Sequence, residues 1–575
     1  MPTPHAPPHG DPGFSQRSKA PFTAHLSLVN LGVALWLVAL LNAPFWRELW
    51  QAVDGWDMSR ALFLLSLPLF VVLWVCVLLE ALTWGRLAKP VLGAVLVVSA
   101  AASYFTSVYG VVFDRSMIES IVATDPGEAM ELLNVKLLLW MVVLGAAPVW
   151  LLSRVRILRR PWHGHLLEKA IALGVLLSAS AVVVAPFFQS YAPLLRNHRE
   201  LRLYLVPSNY LGAVQGYLKR RLAVPDHLET VAADAIRAAR AGGAGRHALT
   251  VLVIGETARA ANFGLDGYSR QTTPNLAADP GVINFRKVLS CGTSTAVSLP
   301  CMFLDVGRAG FSETLARRRE NLLDVLKRAG LAVMWRDNNS GCKSLCDRVR
   351  FEDLAHARIA DLCTQAECYD EILLHGLQKE LDALDRDAVI VLHMKGSHGP
   401  AYHLRYPPSF ERYTPACSTS ELDRCGSEAI VNAYDNTLRY TDHVLAQTIG
   451  LLRRNAARFD GSLIYVSDHG ESLGEHGLFL HGMPYAVAPS EQTHVPMVMW
   501  FSESAQQRYG FEAACLRRKE NEPLTHDNLY HSVLGLLDVS TRVYVPQRDV
   551  FNDCRAGARH PVHSTSVTAA PALAH

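Results

Sequence analysis

Three short runs rich in Glu, Asp and His each follow an apolar stretch of β type. Gly255-Glu256-Thr257 follows residues 249–254, His393-Met394-Lys395-Gly396-Ser397-His398-Gly399-Pro400 follows 387–392, and Ser467-Asp468-His469-Gly470-Glu471-Ser472 follows 462–466. Carboxylate oxygens and imidazole nitrogens are ligands suited to Zn²⁺. The glycines beside them permit tight turns and close approach of a ligand. One Asp-His-Gly alone is most simply a turn. Three such clusters, each directly after a strand, point to one shared site.

A fourth run, Ser290-Cys291-Gly292-Thr293-Ser294-Thr295-Ala296-Val297-Ser298-Leu299-Pro300-Cys301, leads hydroxyl groups into a helix start. Pro300 is expected near that start, where backbone N–H groups lack partners anyway. A hydroxyl there can be an N-cap. It can also be a nucleophile, with the positive helix end favouring its alkoxide and an incoming phosphate. Composition leaves Thr293, Ser294, Thr295 and Ser298 equal candidates.

These runs need a scaffold. From residue 248 onward strand-like runs alternate with helical ones, such as 320–329 and 429–455. That alternation predicts an α/β domain with a mainly parallel sheet. Functional groups of such sheets gather at the carboxyl ends of the strands, where the motifs lie.

The first 190 residues are different. Half of the 575 residues are hydrophobic and 19% are charged, and mean hydropathy is +0.12. This excludes a disordered chain and argues against a wholly soluble one. A formal charge of +2 argues against a nucleic-acid partner. Five apolar stretches, 26–45, 61–79, 90–113, 137–152 and 170–188, approach or reach the roughly 20 residues a bilayer-crossing helix needs. No signal-peptide pattern precedes them. Nine basic residues (Arg17, Lys19, Arg86, Lys89, Arg154, Arg156, Arg159, Arg160, Lys169) fall on one side of a five-span arrangement. Four (Arg47, Arg60, Arg115, Lys136) fall on the other, among acidic residues. The basic side is expected in the cytoplasm, so the N-terminus lies inside and the C-terminal domain outside.

Cysteine usage agrees. Ten of eleven cysteines follow residue 290, eight of them as close pairs. The pairs are Cys291 with Cys301, Cys342 with Cys346, Cys363 with Cys368, and Cys417 with Cys425. Such pairs are zinc knuckles in a reducing compartment and short-loop disulfides in an oxidising one. The topology selects disulfides. Cys515 and Cys554 are left unassigned, and Cys76 is a packing residue. The domain boundaries expected are a cytoplasmic tail at 1–24, a five-helix membrane domain at 25–189, an amphipathic linker at 190–246, a catalytic domain at 247–555 and a disordered tail at 556–575. Within the linker, 225–246 reads as a helix followed by a hinge.

The runs VLVIGETARAANFGLDGYSRQTTPNL, SCGTSTAVSLPCMF, DNNSGCKSLCDRV, HMKGSHGP, SDHGESLGEHGLFLHGMPY and QTHVPMVMW together resemble the lipid A phosphoethanolamine transferases. That family includes the mobilised colistin-resistance enzymes and belongs to the alkaline phosphatase/sulfatase superfamily. The resemblance covers essentially the whole chain. It implies Thr295 as nucleophile, with Glu256, Asp468 and His469 holding Zn²⁺ against it. It implies His398 and His481 as histidines that bind the phosphate group or a second zinc and move protons. Thr293, Asn339 and Lys343 become contacts of the phosphoethanolamine donor, and His494 a further candidate. The donor implied is phosphatidylethanolamine and the acceptor a phosphate of lipid A. The setting implied is the bacterial inner membrane with a periplasmic catalytic domain, and the enzyme is expected to act as a monomer among membrane lipids.

Residues 117–133 read as an extramembrane helix whose Ser120, Thr124 and Glu128, spaced by four, share one face. By resemblance these touch the donor head group, although the family has Asn where this chain has Ser120. Three alternatives stand beside this reading. They are the same transfer to a core sugar or of phosphoglycerol, a membrane-tethered phosphatase or sulfatase, and a non-catalytic sensor. No C/S-x-P-x-R pattern follows Thr295, which counts against a sulfatase. The intact Glu256/Thr295/Asp468/His469 set counts against a sensor.

Overall fold

A computed structural model describes residues 23–53, 61–124, 126–158, 161–222, 227–237, 245–365 and 367–555. Most of the two predicted tails therefore lies outside the described residues, as do Arg17, Lys19, Arg60, Arg159, Arg160 and the side chain of Glu128. The chain divides into two compact units. One holds residues up to Tyr104 together with Lys136–Ser208, and the other holds Phe105–Val135 and the chain from Asn209 onward.

The first unit is helical. Among the described residues, four helices are long and apolar enough to cross a membrane: Ala61–Leu82, Gly85–Tyr109, Val135–Arg154 and Trp162–Ala192. The first predicted span is not one straight helix. Leu26–Leu41 and Ala43–Ala52 meet at a 66° bend. The break has a cause at Asn42, whose side-chain amide donates to the carbonyls of Leu37 and Val206 (both 3.0 Å). Pro44 follows at once in the first turn of the next helix and cannot continue the hydrogen-bond ladder. Four candidates and one bent pair stand where five spans were expected.

Lys169 is not a loop charge. The last helix starts at Trp162, so Lys169 lies within it, buried, with its ammonium 2.5 Å from Glu80 Oε2 and 3.0 Å from Thr83 Oγ1. Breaking a buried pair by removing one partner leaves an uncompensated charge and costs about 3–5 kcal/mol. Lys169→Met should therefore lower the melting temperature of the detergent-solubilised protein. Glu80→Gln/Lys169→Met should recover most of the loss. A double variant no more stable than the single would show that the pair carries no such charge penalty.

The second unit is built on an eight-stranded sheet. In chain order the strands are β1 (His247–Gly255), β2 (Val282–Leu289), β3 (Ala332–Asp337), β4 (Arg350–Asp353), β5 (Ala388–His393), β6 (Phe459–Ser467), β7 (His494–Phe501) and β8 (Leu524–Thr525). Their order across the sheet is β8-β2-β7-β6-β1-β5-β3-β4. All run parallel except β7, which is antiparallel to both of its neighbours. Both faces are covered. Leu252 and Ile254 of β1 pack into one core with Val389, Val391, Ile464 and Val466. Leu249, Val251 and Val253 pack into the other with Ile390, Leu392 and Leu463. Burial on both faces explains why β1, β5 and β6 read as continuous apolar runs.

Two of the expected helices differ in this unit. Residues 227–237 are not helical: Ile236–Arg237 pairs antiparallel with Val539–Ser540, and Val231, Ala232 and Ala235 are buried in the core. Tertiary burial overrides the helix propensity of this Ala-rich stretch. The 117–133 segment is two helices, α1 (Arg115–Ala123) and α2 (Pro126–Glu131). Thr124 has extended backbone (φ −66°, ψ 131°), and its hydroxyl donates to the carbonyl of Ser120 (2.8 Å). Pro126 has no N–H and disfavours helical backbone before it, so the predicted single face is broken between Thr124 and Glu128.

All four predicted cysteine pairs are disulfides: Cys291 with Cys301, Cys342 with Cys346, Cys363 with Cys368, and Cys417 with Cys425. Cys515–Cys554 is a fifth. Two of the predicted pairs pack against the second core. Cys368 and Cys417 are buried in it, and Cys363 and Cys425 lie partly buried at its side. Their sulfurs are consumed in disulfides, so they offer no thiolate to a metal. The Cys363–Cys368 turn also reaches β3, because the Cys368 carbonyl accepts from the Asn338 side chain (3.0 Å). The fifth disulfide closes the longest loop, a separation of 39 residues. On loop-entropy grounds, Cys515→Ala/Cys554→Ala should cost about 3–4 kcal/mol, more than loss of any of the other four. Thermal unfolding of the five paired variants would check the ranking.

Candidate active site

The sheet register brings the clusters together. Gly255 of β1 sits opposite Ser467 of β6, so Glu256 and Asp468 leave the sheet side by side. Ile254 pairs with His393 of β5, and His393 with Asp337 of β3. Glu256, the 394–400 run, Asn338–Asn339 and Asp468-His469 therefore emerge at one edge, the carboxyl ends of four parallel strands. The edge is crowded: a Cβ on Gly396 (φ +57°) would lie 2.5 Å from the Glu256 carbonyl oxygen. Only glycine fits both that backbone and that space.

Thr295 opens the helix α3 (Thr295–Met302), with Ser294 as N-cap residue. Pro300 falls in the second turn of this helix rather than near its start. The Thr295 hydroxyl lies 2.9 and 3.0 Å from the two Glu256 carboxylate oxygens and 3.3 Å from His469 Nε2. His469 Nε2 is 3.2 Å from Glu256 Oε1 and 3.4 Å from Asp468 Oδ2. Glu256, Asp468 and His469 are each 0% exposed and Thr295 is 9% exposed. Two other hydroxyls of the run are committed elsewhere. Thr293 Oγ1 donates to the Met483 carbonyl (2.6 Å), and Ser298 Oγ donates to the Asp468 carbonyl (2.5 Å).

The donor set fits a metal ion. The ligand atoms of Glu256, Asp468 and His469 lie within 4.8 Å of one another. His469 Nδ1 donates to the Gly470 carbonyl (2.9 Å), which leaves Nε2 as the ring atom facing the carboxylates. Asp468 Oδ1 accepts from the backbone N–H of Thr257 and His469, whereas buried Oδ2 has no hydrogen-bond partner among the described residues. A buried carboxylate oxygen left so is costly unless a cation meets it. The electrostatics agree. Burial opposes charge on His469, but the carboxylates of Asp468 and Glu256 overcome it and push the imidazole up to about 10. Burial and the charge of Glu256 raise Asp468 above the usual carboxylate range. Burial likewise disfavours ionised Glu256, but the hydrogen bond and charge of His469 outweigh it and hold the carboxyl well below its ordinary value. Two carboxylates beside one imidazole form a ligand set that suits a cation.

The other predicted residues surround this centre unevenly. His398 and His481 stand with ring centroids 5.4 Å apart, and His481 and His469 4.5 Å apart. Burial depresses His398 well below the usual imidazole value, so it is neutral, and its Nδ1 has no hydrogen-bond partner among the described residues. Asn339 is buried and donates to Glu256 Oε2 (2.8 Å) and to the Met394 carbonyl (2.8 Å), so it supports the carboxylate. The Lys343 ammonium bonds Ser340 Oγ and carbonyl (both 3.0 Å). Thr293 reaches the loop after His481 by its hydroxyl and by its carbonyl, which accepts from Gly482 N (2.8 Å). The Ser120 hydroxyl is buried without a hydrogen-bond partner among the described residues. His494 is not part of this group; its Nε2 bonds the Arg286 carbonyl (2.7 Å) at the start of β7.

Sequence reasoning missed several supports. His393 Nδ1 meets Asp337 Oδ1 (2.7 Å), and the same carboxylate accepts from the Trp335 indole (2.9 Å). Glu471 holds His481 Nδ1 (2.9 Å) and accepts from the Tyr402 hydroxyl (2.7 Å). His393, Glu471 and Asp337, the first residue of DNNSGCKSLCDRV, were visible inside the quoted runs. Tyr402 carried no local signal.

A two-sided parallel-type sheet with a hydroxyl and a carboxylate/histidine cluster at its strand ends defines an α/β phosphoryl- or sulfuryl-transfer domain, here joined to apolar helices. Residues 248–539 match the family described as Sulfatase, and residues 69–222 match that described as Phosphoethanolamine transferase EptA/EptB. Phosphoethanolamine transferase EptA of Escherichia coli K12 is 40% identical over 528 residues, covering 91% of this chain and 96% of the relative. Phosphatidylethanolamine transferase Mcr-1 of Escherichia coli is 36% identical over 539 residues, covering 91% and 96%. The structure of the integral membrane protein lipooligosaccharide phosphoethanolamine transferase A from Neisseria meningitidis superposes with a TM-score of 0.90 at 36% identity, covering 93% of this chain and 100% of that one. The chain belongs to the phosphoethanolamine transferase family and is a transferase.

Proposed function

We propose that this enzyme moves phosphoethanolamine from phosphatidylethanolamine to a phosphate of lipid A by way of a covalent phosphothreonine at Thr295. The observation that carries the reading is the Thr295 hydroxyl seated against Glu256 and His469 in a buried cluster. Glu256, Asp468 and His469 would hold Zn²⁺, whose chemistry is to favour the ionised hydroxyl and to offset charge on the transferring phosphoryl group.

Thr295 Oγ forms a bond to the phosphorus of the donor as the bond to the diacylglycerol oxygen breaks. That oxygen leaves with a proton as diacylglycerol. A phosphate oxygen of the acceptor then forms the second bond to phosphorus, the bond to Thr295 Oγ breaks, and the threonine regains its proton. Neutral His398 and the Glu471-oriented His481 stand on this edge of the sheet as the proton carriers. Thr293 fixes the loop of His481, and Asn339 fixes Glu256. Ser120, Thr124, Glu128 and Lys343 serve the donor head group.

The catalytic domain is assigned to the periplasm and the helices to the bacterial inner membrane, with the N-terminus cytoplasmic. The charge asymmetry of the loops and the disulfides of the soluble unit support this. The boundaries 25–189, 190–246 and 247–555 are proposed as the domain scheme, except that 105–135 and 227–237 pack with the catalytic domain, and the enzyme is proposed to act as a monomer. Mass spectrometry of lipid A from cells expressing the chain, beside cells expressing Thr295→Ala, tests the reading. A phosphoethanolamine adduct with the intact threonine alone supports it. The same increment on core sugar instead would replace the acceptor.

A further inference from the structure

The segment Phe105–Val135 belongs to the same compact unit as the sheet, and it touches the loops of both histidines. Arg405 is the link on one side. Its side chain is 0% exposed and lies between two carboxylates, Glu367 and Glu131 of α2, the latter at 2.7 Å. Its Nε donates to the main-chain carbonyl of His398 (2.7 Å). On the other side Met117 of α1 lies where a Cβ on Gly482, the neighbour of His481, would be 2.9 Å from its Cε. A second ion pair, Glu119–Arg317 at 2.5 Å, fastens α1 independently of Arg405.

A buried guanidinium needs its carboxylates, because an unpaired charge there is strongly unfavourable. Its planar fork also fixes direction, so moving one partner reorients the others. We infer that Arg405 is a positioning residue that makes the seating of the 115–131 segment and the placement of His398 one event. The donor-contacting segment would thereby set the histidine that serves the transferring group. The inference rests on the transferase reading above and adds to it a coupling between donor binding and the catalytic edge.

The test uses the full chain in phosphatidylethanolamine-containing nanodiscs with lipid A as acceptor, and a fluorescent-chain phosphatidylethanolamine as measured donor. Glu131→Gln keeps size and an acceptor oxygen but removes the charge. It should raise the KM for donor about tenfold. Hydrogen exchange should rise together at 115–131 and at 394–400. Glu119→Arg should loosen 115–123 without reaching 394–400, and the swap Glu119→Arg/Arg317→Glu should restore it. An unchanged KM, or faster exchange at 115–131 with none at 394–400, overturns the coupling. Arg405→Lys is the stronger variant; if it does not fold, Glu131→Gln decides alone. Intact-mass analysis of the wild type separates the two claims. No phosphoethanolamine on Thr295 overturns the proposed mechanism, whereas joint exchange at the two segments still reports the link.

Discussion

Thr295→Ala is expected to lower phosphoethanolamine transfer by about 10⁴-fold or more, to the background of an enzyme that binds but has no nucleophile. The expectation rests on one contact set. The Thr295 hydroxyl faces Glu256 and His469, while the nearby hydroxyls of Thr293 and Ser298 are spent on the carbonyls of Met483 and Asp468. Neither can substitute without breaking a bond that holds the site. Thr295→Ser keeps the oxygen and should keep transfer within about tenfold, since it loses only the β-branch that stiffens χ1. Thr293→Ser keeps its bond and should stay near wild type. Single-turnover donor cleavage followed by intact mass gives the readout. An adduct on the alanine variant would place the covalent step on another residue.

The second large effect is expected at the carboxylate/histidine cluster. Asp468→Asn or His469→Ala should remove bound zinc and cost about a thousandfold in transfer, which is about 4 kcal/mol of transition-state stabilisation. The metal readout is independent of activity. In the metal-free protein His469 is pushed up to about 10, by Asp468 and Glu256 acting against burial. At neutral pH it therefore carries a proton that metal must displace. Zinc affinity should rise about tenfold per pH unit as pH climbs toward that value. It should fall more steeply in acid, where Asp468, raised by burial and by Glu256, also takes up a proton. Competition with a chromophoric chelator from pH 6 to 9 measures the slope. A flat profile would mean that His469 is not a ligand.

Much of the site was legible because its chemistry is local in sequence. β1, β5 and β6 are buried on both faces, so they are unbroken apolar runs, and in a parallel sheet their carboxyl ends share one edge. Glu256, the His398 run and Asp468-His469 could be read from that rule alone. The close cysteine pairs were legible for the same reason: short separations leave few partners. β2 and β7 were not legible. β2 carries exposed Arg286 and Lys287, which its place beside the short edge strand β8 allows. β7 contains Pro496, and its antiparallel run through the sheet follows no alternation of strand and helix. β3 hides a charge, buried Arg336, which donates to the His375 carbonyl (2.6 Å) and lies 3.1 Å from a Glu352 carboxylate oxygen.

By itself the sequence determined the apolar helices, the alternating α/β pattern, the strand-end motifs and four of the five disulfides, because each depends on neighbours within a few residues. Tertiary structure decided the rest. It seated the Thr295 hydroxyl against Glu256 and His469, 39 and 174 positions away. It joined Cys515 to Cys554 across 39 residues. It bent the first apolar helix through Asn42, moved Lys169 from a loop into a buried pair with Glu80, and broke the 117–133 segment at Thr124. It also set Arg405 between carboxylates from two distant segments. The physical reason is common to all of these. A hydroxyl, a thiol or a charge gains its function from the partner that satisfies it once water is excluded, and that partner is chosen by packing.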